Sequence, residues 1–384
     1  MARRARAPVD ESGEVDEVGG AAVAGFQRRA VPLNKALLCT LGPSSLNPRT
    51  ISALEATGVT SFRINMSHTE TRDLERVIRL IQKCTDVPIC LDTEGSQIRT
   101  GPMKEQASVV EGSHVRLVAG NMVGDSATIP ITPGHVVEKL EPSARISIDF
   151  DSVVLRVDRV SSAVAEATVL SGGEVGSRKA VTTFPSVPLP SFSEKDLRAI
   201  RTAVLHGIRE YALSFCEHPS SINHLRELVG PRSTIIAKVE SRKGVRNLSK
   251  IAQFADAILI DRGDLSREVR LEAIPLLQKA IIRKANALGV PVYVATNLLE
   301  SMVTRRSPTR AEVNDVMNTL LDGADGLVLA AETAIGRYPV EAAQMVMTLL
   351  REYEGSVEGY RIEDLLGDHP LALERTHRGS RTNL

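Results

Sequence analysis

From residue 35 onward, short apolar runs are followed by polar or glycine-containing turns and, in most cases, by stretches of helical period. The cycle occurs eight times. The runs are KALLCTLG (35–42), TSFRINMSH (60–68), PICLDTEG (88–95), EYALSFCEH (210–218), TIIAKVES (234–241), AILIDRGD (257–264), PVYVATN (291–297) and GLVLAAET (326–333). They are continuously apolar rather than alternating, as a parallel strand covered by helices requires. Ser67-x-x-Glu70, Ser191-x-x-Glu194 and Thr309-x-x-Glu312 have capping-box spacing and mark helix starts. Between the third and fourth runs, residues 101–185 lose the helical period and carry strand-like pieces (HVRLVAG, ARISIDF, SVVLRV) between Gly and Pro turns. Without that insert, the eight βα units come close to the ~250 residues of a (β/α)8 barrel. The pattern therefore predicts an α/β fold: a TIM barrel over 34–100 and 186–355, with a small β-barrel-like domain at 101–185 inserted as a lid after strand three. Residues 1–33 have no periodicity and no apolar signal core, and read as a disordered leader. A transit peptide is the alternative, weakened by Asp10, Glu11, Glu14, Asp16 and Glu17. Residues 356–384 form a C-terminal tail.

Composition narrows the choice of partners. The 384 residues carry 47 basic and 47 acidic side chains, a zero balance that argues against nucleic acid as a partner. No apolar run approaches the ~18 residues of a bilayer span, so no membrane role is expected. Aromatic residues are 3% and Trp is absent, so the core must be aliphatic. Cys39, Cys84, Cys90 and Cys216 form no C-x-x-C pair and read as buried thiols in a reducing, cytoplasmic setting. With 11 lysines beside 36 arginines, each lysine placed in an apolar strand stands out.

Barrel chemistry sits at the C-terminal ends of strands, and polar residues gather there: Arg63, Asn65, Ser67 and His68 after strand two; Asp92, Thr93 and Arg99 after strand three; Lys238 and Glu240 at strand five; Arg262 and Asp264 after strand six; Thr296 and Asn297 after strand seven; Glu332 and Thr333 after strand eight. Glu240 and Asp264 offer hard oxygen ligands suited to magnesium; alternatively they are satisfied by Arg262 and Lys238. Lys238 points into the barrel mouth and needs an anion there. The turn at Gly263 can present backbone N–H groups to an oxyanion or carboxylate. Asn65, Ser67, Asp92 and Thr93 suit a monovalent cation, or equally a set of hydrogen bonds between strand ends. Cations beside paired carboxylates describe a small, multiply anionic substrate such as a phosphorylated carboxylate, over which the lid could exclude water.

These residues resemble the pyruvate kinase family over roughly 35–354: CTLGPSS, RINMSH, DTEGSQIRTG, GSRKAV, the SEKD helix start, KVES, RGDLS, VATNLLESM, PTRAEVNDVMNTLLDGADGLVL and AETAIGRYPVEA occur in order. The resemblance implies phosphoryl transfer from phosphoenolpyruvate to ADP. Glu240 and Asp264 would bind Mg2+, and Lys238 would stabilise the transferring charge with Arg63 assisting. The Gly263 and Asp264 amides would hold the substrate carboxylate, with Arg99 on the substrate side and Thr296 near the carbon that takes a proton. Asn65, Ser67, Asp92 and Thr93 match K+ ligands; Pro43, Asn65, His68 and Lys179 match nucleotide-side positions. The inserted lid matches the family's B domain. About 30 residues follow Glu354, too few for a further core, so the family's C-terminal domain and allosteric control through it are not expected. Arg310 and Glu312 match a barrel-to-barrel contact, which makes a homodimer an expectation. Several positions depart from the family pattern: Glu94, Ser96 and Gln97 stand for Lys, Pro and Glu; Asp261 for Ala; Asn297 for Gln; Ala330-Ala331 for Ser-Gly; and IDFD (148–151) for VDDG. These changes keep two alternatives open: a paralogue acting on another phosphorylated acid or acceptor, and a non-catalytic phosphoenolpyruvate-binding regulator or scaffold.

Overall fold

A computed structural model describes residues 35–120 and 122–356; the leader and the tail lie outside the described residues. The eight runs form eight strands: Ala36–Thr40, Ser61–Asn65, Ile89–Asp92, Glu210–Leu213, Thr234–Val239, Ala257–Asp261, Val292–Ala295 and Gly326–Leu329. All neighbours pair in parallel, and the last strand closes onto the first. Helices on the outer face are amphipathic: Leu74, Val77, Ile78 and Ile81 bury one stripe of Thr71–Cys84.

Strand alternation sorts the core into two layers. Outward-facing side chains such as Phe62, Ile64, Ala237 and Val239 pack beneath the helices. Inward-facing Leu38, Cys90, Ala212, Ile236 and Leu259 fill the barrel with aliphatic bulk. Two residues further along each strand, on the same inward face, come Thr40, Asp92, Ser214, Lys238 and Asp261, all buried. The polar layer is thus the next storey of the barrel interior, at its C-terminal mouth.

The insert is a closed seven-strand barrel with its own apolar core, and a two-stranded sheet flanks it. Its strands include Ile98–Thr100, which lies on the TIM-barrel side of the boundary read from the sequence. Helix starts correct two expectations. Thr309 and Glu312 form the capping box expected of them. The second box is Ser193 with Asp196, because Asp196 also receives the Glu94 and Gly95 amides; Ser191 instead pairs with Ser221. Helix Thr71–Cys84 begins after Glu70 without a side-chain cap. Among the described residues no helix is long and apolar enough to cross a membrane, and the four cysteines are free.

Candidate active site

Lys238 occupies the centre of the mouth. Its ammonium lies 3.0 Å from Ser214 Oγ, 3.4 Å from Asp92 Oδ1, 3.3 Å from Glu240 Oε2 and 3.8 Å from Asp261 Oδ2. Burial would lower its pKa, but Asp92, Glu240 and Asp261 outweigh that and hold it above the ordinary lysine value. Arg63 supports this arrangement from the second strand. Its guanidinium grips Asp92 through both Nε and Nη2 and donates to Thr40 Oγ1 at 2.9 Å. Arg63 therefore fixes the carboxylate behind Lys238 while still lining the cleft.

Glu240 is the strained member of the set. It is 1% exposed, its Oε1 accepts the Phe215 amide at 2.8 Å, and its Oε2 has no hydrogen-bond partner. Burial pushes its carboxyl up to about 8, with repulsion from Asp264 and Asp261 adding to the shift and Lys238 opposing it. Ligand oxygens of Glu240, Asp261 and Asp264 lie within 4.8 Å of one another. Asp264 is held by Arg267, 3.1 Å away, which also reaches Gln97. Asp92, Glu240, Asp261 and Asp264 thus face Arg63, Lys238 and Arg267; the charges balance while Glu240 holds its proton, and releasing it leaves one carboxylate in excess. That donor set fits a divalent cation.

Asp261 caps the short helix Arg262–Leu265. Its Oδ1 accepts Thr296 Oγ1 at 2.7 Å and the Gly263 amide at 3.2 Å, and the Asp264 amide adds to the same carboxylate. Burial would raise its pKa, but Lys238, the Thr296 hydroxyl and Arg63 bring it below the ordinary value. The donors expected to receive a substrate carboxylate are therefore already in contact with a carboxylate of the chain itself. Gly263 permits this approach, since a Cβ there would stand 2.9 Å from Thr296 Cγ2.

Arg262 does not face the mouth, as the charge pattern suggested. Its guanidinium turns back to the carbonyls of Thr296 (2.7 Å) and Asn297 (3.1 Å) and pairs with Asp315 at 2.7 Å. The reason lies in the backbone: Thr296 and Asn297 have φ of 77° and 57°, and the turn they make leaves two carbonyls without ladder partners.

Of the four residues matched to potassium, Asn65, Asp92 and Thr93 have side-chain oxygens engaged within the protein. Asn65 Oδ1 accepts the Ser67 amide, Thr93 Oγ1 bridges Ala212 and Ser214, and Asp92 carries Arg63, Ser214 and Lys238. Neutral Gln97 accepts from Arg99 and Arg267. Glu94, where the family pattern has lysine, is paired with Lys195 at 3.0 Å.

A cleft of about 1070 Å³ lies between the barrel mouth and the inserted barrel. Arg63, Asn65, Ser67, His68, Lys238 and Asp264 line it from the barrel, and Arg99, Thr100, Ser177 and Arg178 from the lid side. Glu240 lines an adjoining pocket. Asp92, Thr93, Gly263 and Thr296 sit behind the cleft lining. Pro43 is exposed on the turn after the first strand, and Lys179 is paired with Asp149 in the lid at 2.7 Å. Ser214 and Arg267 are additions to the set. Ser214 was legible as the residue two beyond Ala212, and Arg267 as the i+3 neighbour of Asp264. Of the residues matched to a subunit contact, Arg310 is exposed and Glu312 is committed to Ser301 and Thr309.

The family model for the pyruvate kinase barrel domain matches residues 33–343. The chain is 35% identical over 335 residues to pyruvate kinase of Geobacillus stearothermophilus, covering 84% of this chain and 57% of that protein. It is 36% identical over 325 residues to pyruvate kinase of Methylorubrum extorquens, covering 83% and 68%. Against pyruvate kinase PKLR of Homo sapiens it is 33% identical over 363 residues, covering 88% and 63%. The chain thus spans between 57% and 68% of the length of these relatives.

Proposed function

The chain belongs to the pyruvate kinase family, and from that membership we propose that it transfers the phosphoryl group of phosphoenolpyruvate to ADP, giving pyruvate and ATP. The bond between phosphorus and the enol oxygen breaks, a bond to a β-phosphate oxygen of ADP forms, and the enolate takes a proton at carbon. The observation that carries the reading is Lys238, an ammonium buried at the mouth with acceptors from four strand ends around it that favour its charged form. In a loose transition state, positioning and charge stabilisation supply most of the catalysis, and a preorganised cation contributes both.

Glu240 and Asp264 would hold a magnesium ion, which supplies charge neutralisation to the phosphoryl oxygens when bound. Arg63 fixes Asp92 and so keeps Lys238 in place. Arg99, Ser177 and Arg178 offer donors from the lid side for phosphate oxygens. Thr296 directs its hydroxyl proton at Asp261, so relaying a proton to the enolate carbon through a water requires that bond to open. Potassium is given no step of its own; Asn65, Ser67, Asp92 and Thr93 match its ligands through the family resemblance alone.

A lactate-dehydrogenase-coupled assay with phosphoenolpyruvate, ADP, Mg2+ and K+ tests the reading. Turnover is expected, with a loss of at least about a hundredfold in Lys238→Met, the range for removing a charge-stabilising group. Turnover no higher than that variant's would sink it. One observation favours a second reading, a related phosphotransferase with another donor: Asp261 already occupies the donors at Gly263 and Thr296. Phosphorylated donors without a carboxylate, assayed in parallel, separate the two.

A further inference from the structure

We propose that Asp261 is a third carboxylate ligand of the divalent-cation site, so that this chain retains the ion through its own side chains before any substrate arrives. The proposal rests on the reading of Glu240 and Asp264 as cation ligands and extends it to a residue that the resemblance leaves without a role.

Three observations carry it. Ligand oxygens of Glu240, Asp261 and Asp264 all lie within 4.8 Å of one another, so a small side-chain rotation brings them inside the about 4.2 Å that separates opposite oxygens on one magnesium ion. Glu240 Oε2 is buried without a hydrogen-bond partner and is faced by the Lys238 ammonium at 3.3 Å. A buried carboxylate oxygen with an ion pair but no hydrogen bond keeps coordination capacity that a bound cation would fill. Asp261, finally, is held in place by hydrogen bonds from neighbouring groups, as the carboxylates that bind metals are. Thr296 and Gly263 both donate to its Oδ1. Its Oδ2 lies 3.8 Å from the Lys238 ammonium, which has its own ion pair with Glu240. Strand alternation places Asp261 there, directly above Leu259 in the barrel interior.

The chemistry follows from ligand count. Two carboxylates hold magnesium weakly and rely on substrate oxygens to complete its shell; a third raises affinity in the absence of substrate and displaces one more water. Lys238 and Arg63 limit the gain, since they already offset part of the negative charge.

The test uses the full chain, stripped of metal and titrated with Mn2+ while free Mn2+ is followed by electron paramagnetic resonance, with neither phosphoenolpyruvate nor ADP present. One site is expected, and Asp261→Ala should weaken it about tenfold or more, with Asp261→Asn falling between. Unchanged affinity in both variants, with loss in Glu240→Gln, overturns the proposal. Should the Ala variant fail to fold, the wild-type protein decides. Counting water on bound Mn2+ by oxygen-17 coupling should give about three molecules, whereas about four would mean only two protein ligands. Binding is read without turnover, so a chain that binds Mn2+ as described yet does not convert phosphoenolpyruvate fails the proposed function and not this inference.

Discussion

Thr296 carries a β-branched side chain in the left-handed region, a conformation that survives only when its surroundings enforce it. Arg262 provides that enforcement by satisfying the carbonyls of Thr296 and Asn297, with Asp315 holding the guanidinium from behind. Arg262→Met should therefore cost about 3 kcal/mol in urea unfolding, since two carbonyls and a partly buried carboxylate lose their partner; a change under about 0.5 kcal/mol would show that the turn holds without it. Asp261 has a consequence for substrate as well. As a tethered carboxylate on the Gly263 and Thr296 donors, it competes with any carboxylate that arrives from solution. At saturating Mg2+, Asp261→Ala should lower the KM for phosphoenolpyruvate severalfold while leaving that for ADP unchanged, and steady-state kinetics in both substrates would reveal it. Glu240 sets a pH dependence. Its folded pKa of about 8 lies above the ordinary 4.5, so the folded protein holds a proton that the unfolded chain releases. Stability of the metal-free protein accordingly falls as pH rises between those values. The shift at Asp261 acts below its ordinary 3.8 and that at Lys238 above its ordinary 10.5, outside this window. Buried Glu210 shifts in the same direction as Glu240, so a variant is needed to separate them. Melting temperature should drop between about pH 5.5 and about pH 8.5, and drop less in Glu240→Gln.

At the level of elements, one residue joins three pieces of chain. Asp196 is fully buried in the first turn of helix Glu194–Leu205, where it completes the Ser193 capping box and also accepts the Glu94 and Gly95 amides. Those amides belong to the segment that leaves barrel strand three for the lid. Asp196→Ala strands three backbone donors at once and should cost about 3 kcal/mol or more in denaturant unfolding; a loss near the ~1 kcal/mol of a simple cap would show that the link to the lid segment contributes nothing. Such a residue illustrates what the chain discloses by itself. The eight strands were legible because each is a continuous apolar run, and the helix at Thr309 because its box is local. The box at Ser193 was displaced by two residues because its acid answers to Glu94 and Gly95, a hundred positions away, and no local spacing encodes that. The polar storey of the mouth was legible in part: Lys238 stands out in an apolar strand, and the same alternation reaches Ser214 and Asp261. The direction in which Arg262 points was not legible, because it depends on carbonyls of a neighbouring strand end.

Across the whole molecule, zero net charge conceals an uneven distribution, with four carboxyl groups and three cations concentrated at one barrel mouth. Apolar packing is also divided. The TIM barrel and the inserted barrel each bury their own aliphatic cluster, and the polar cleft lies between them. Segments with separate cores can open separately, because losing one leaves the contacts of the other intact. Leu117 is fully buried at the centre of the insert, and Leu117→Ala should cost about 2–5 kcal/mol there. Hydrogen exchange should then quicken at amides of His114–Ala119 and Val164–Ser171, while those of barrel strands Thr234–Val239 and Ala257–Asp261 keep their protection. Mn2+ affinity should also stay at the wild-type value, because Glu240, Asp261 and Asp264 all belong to the barrel. Equal loss of protection in the barrel strands would mean that the two cores unfold as one cooperative unit, and the lid could then not open without unfolding the site it covers.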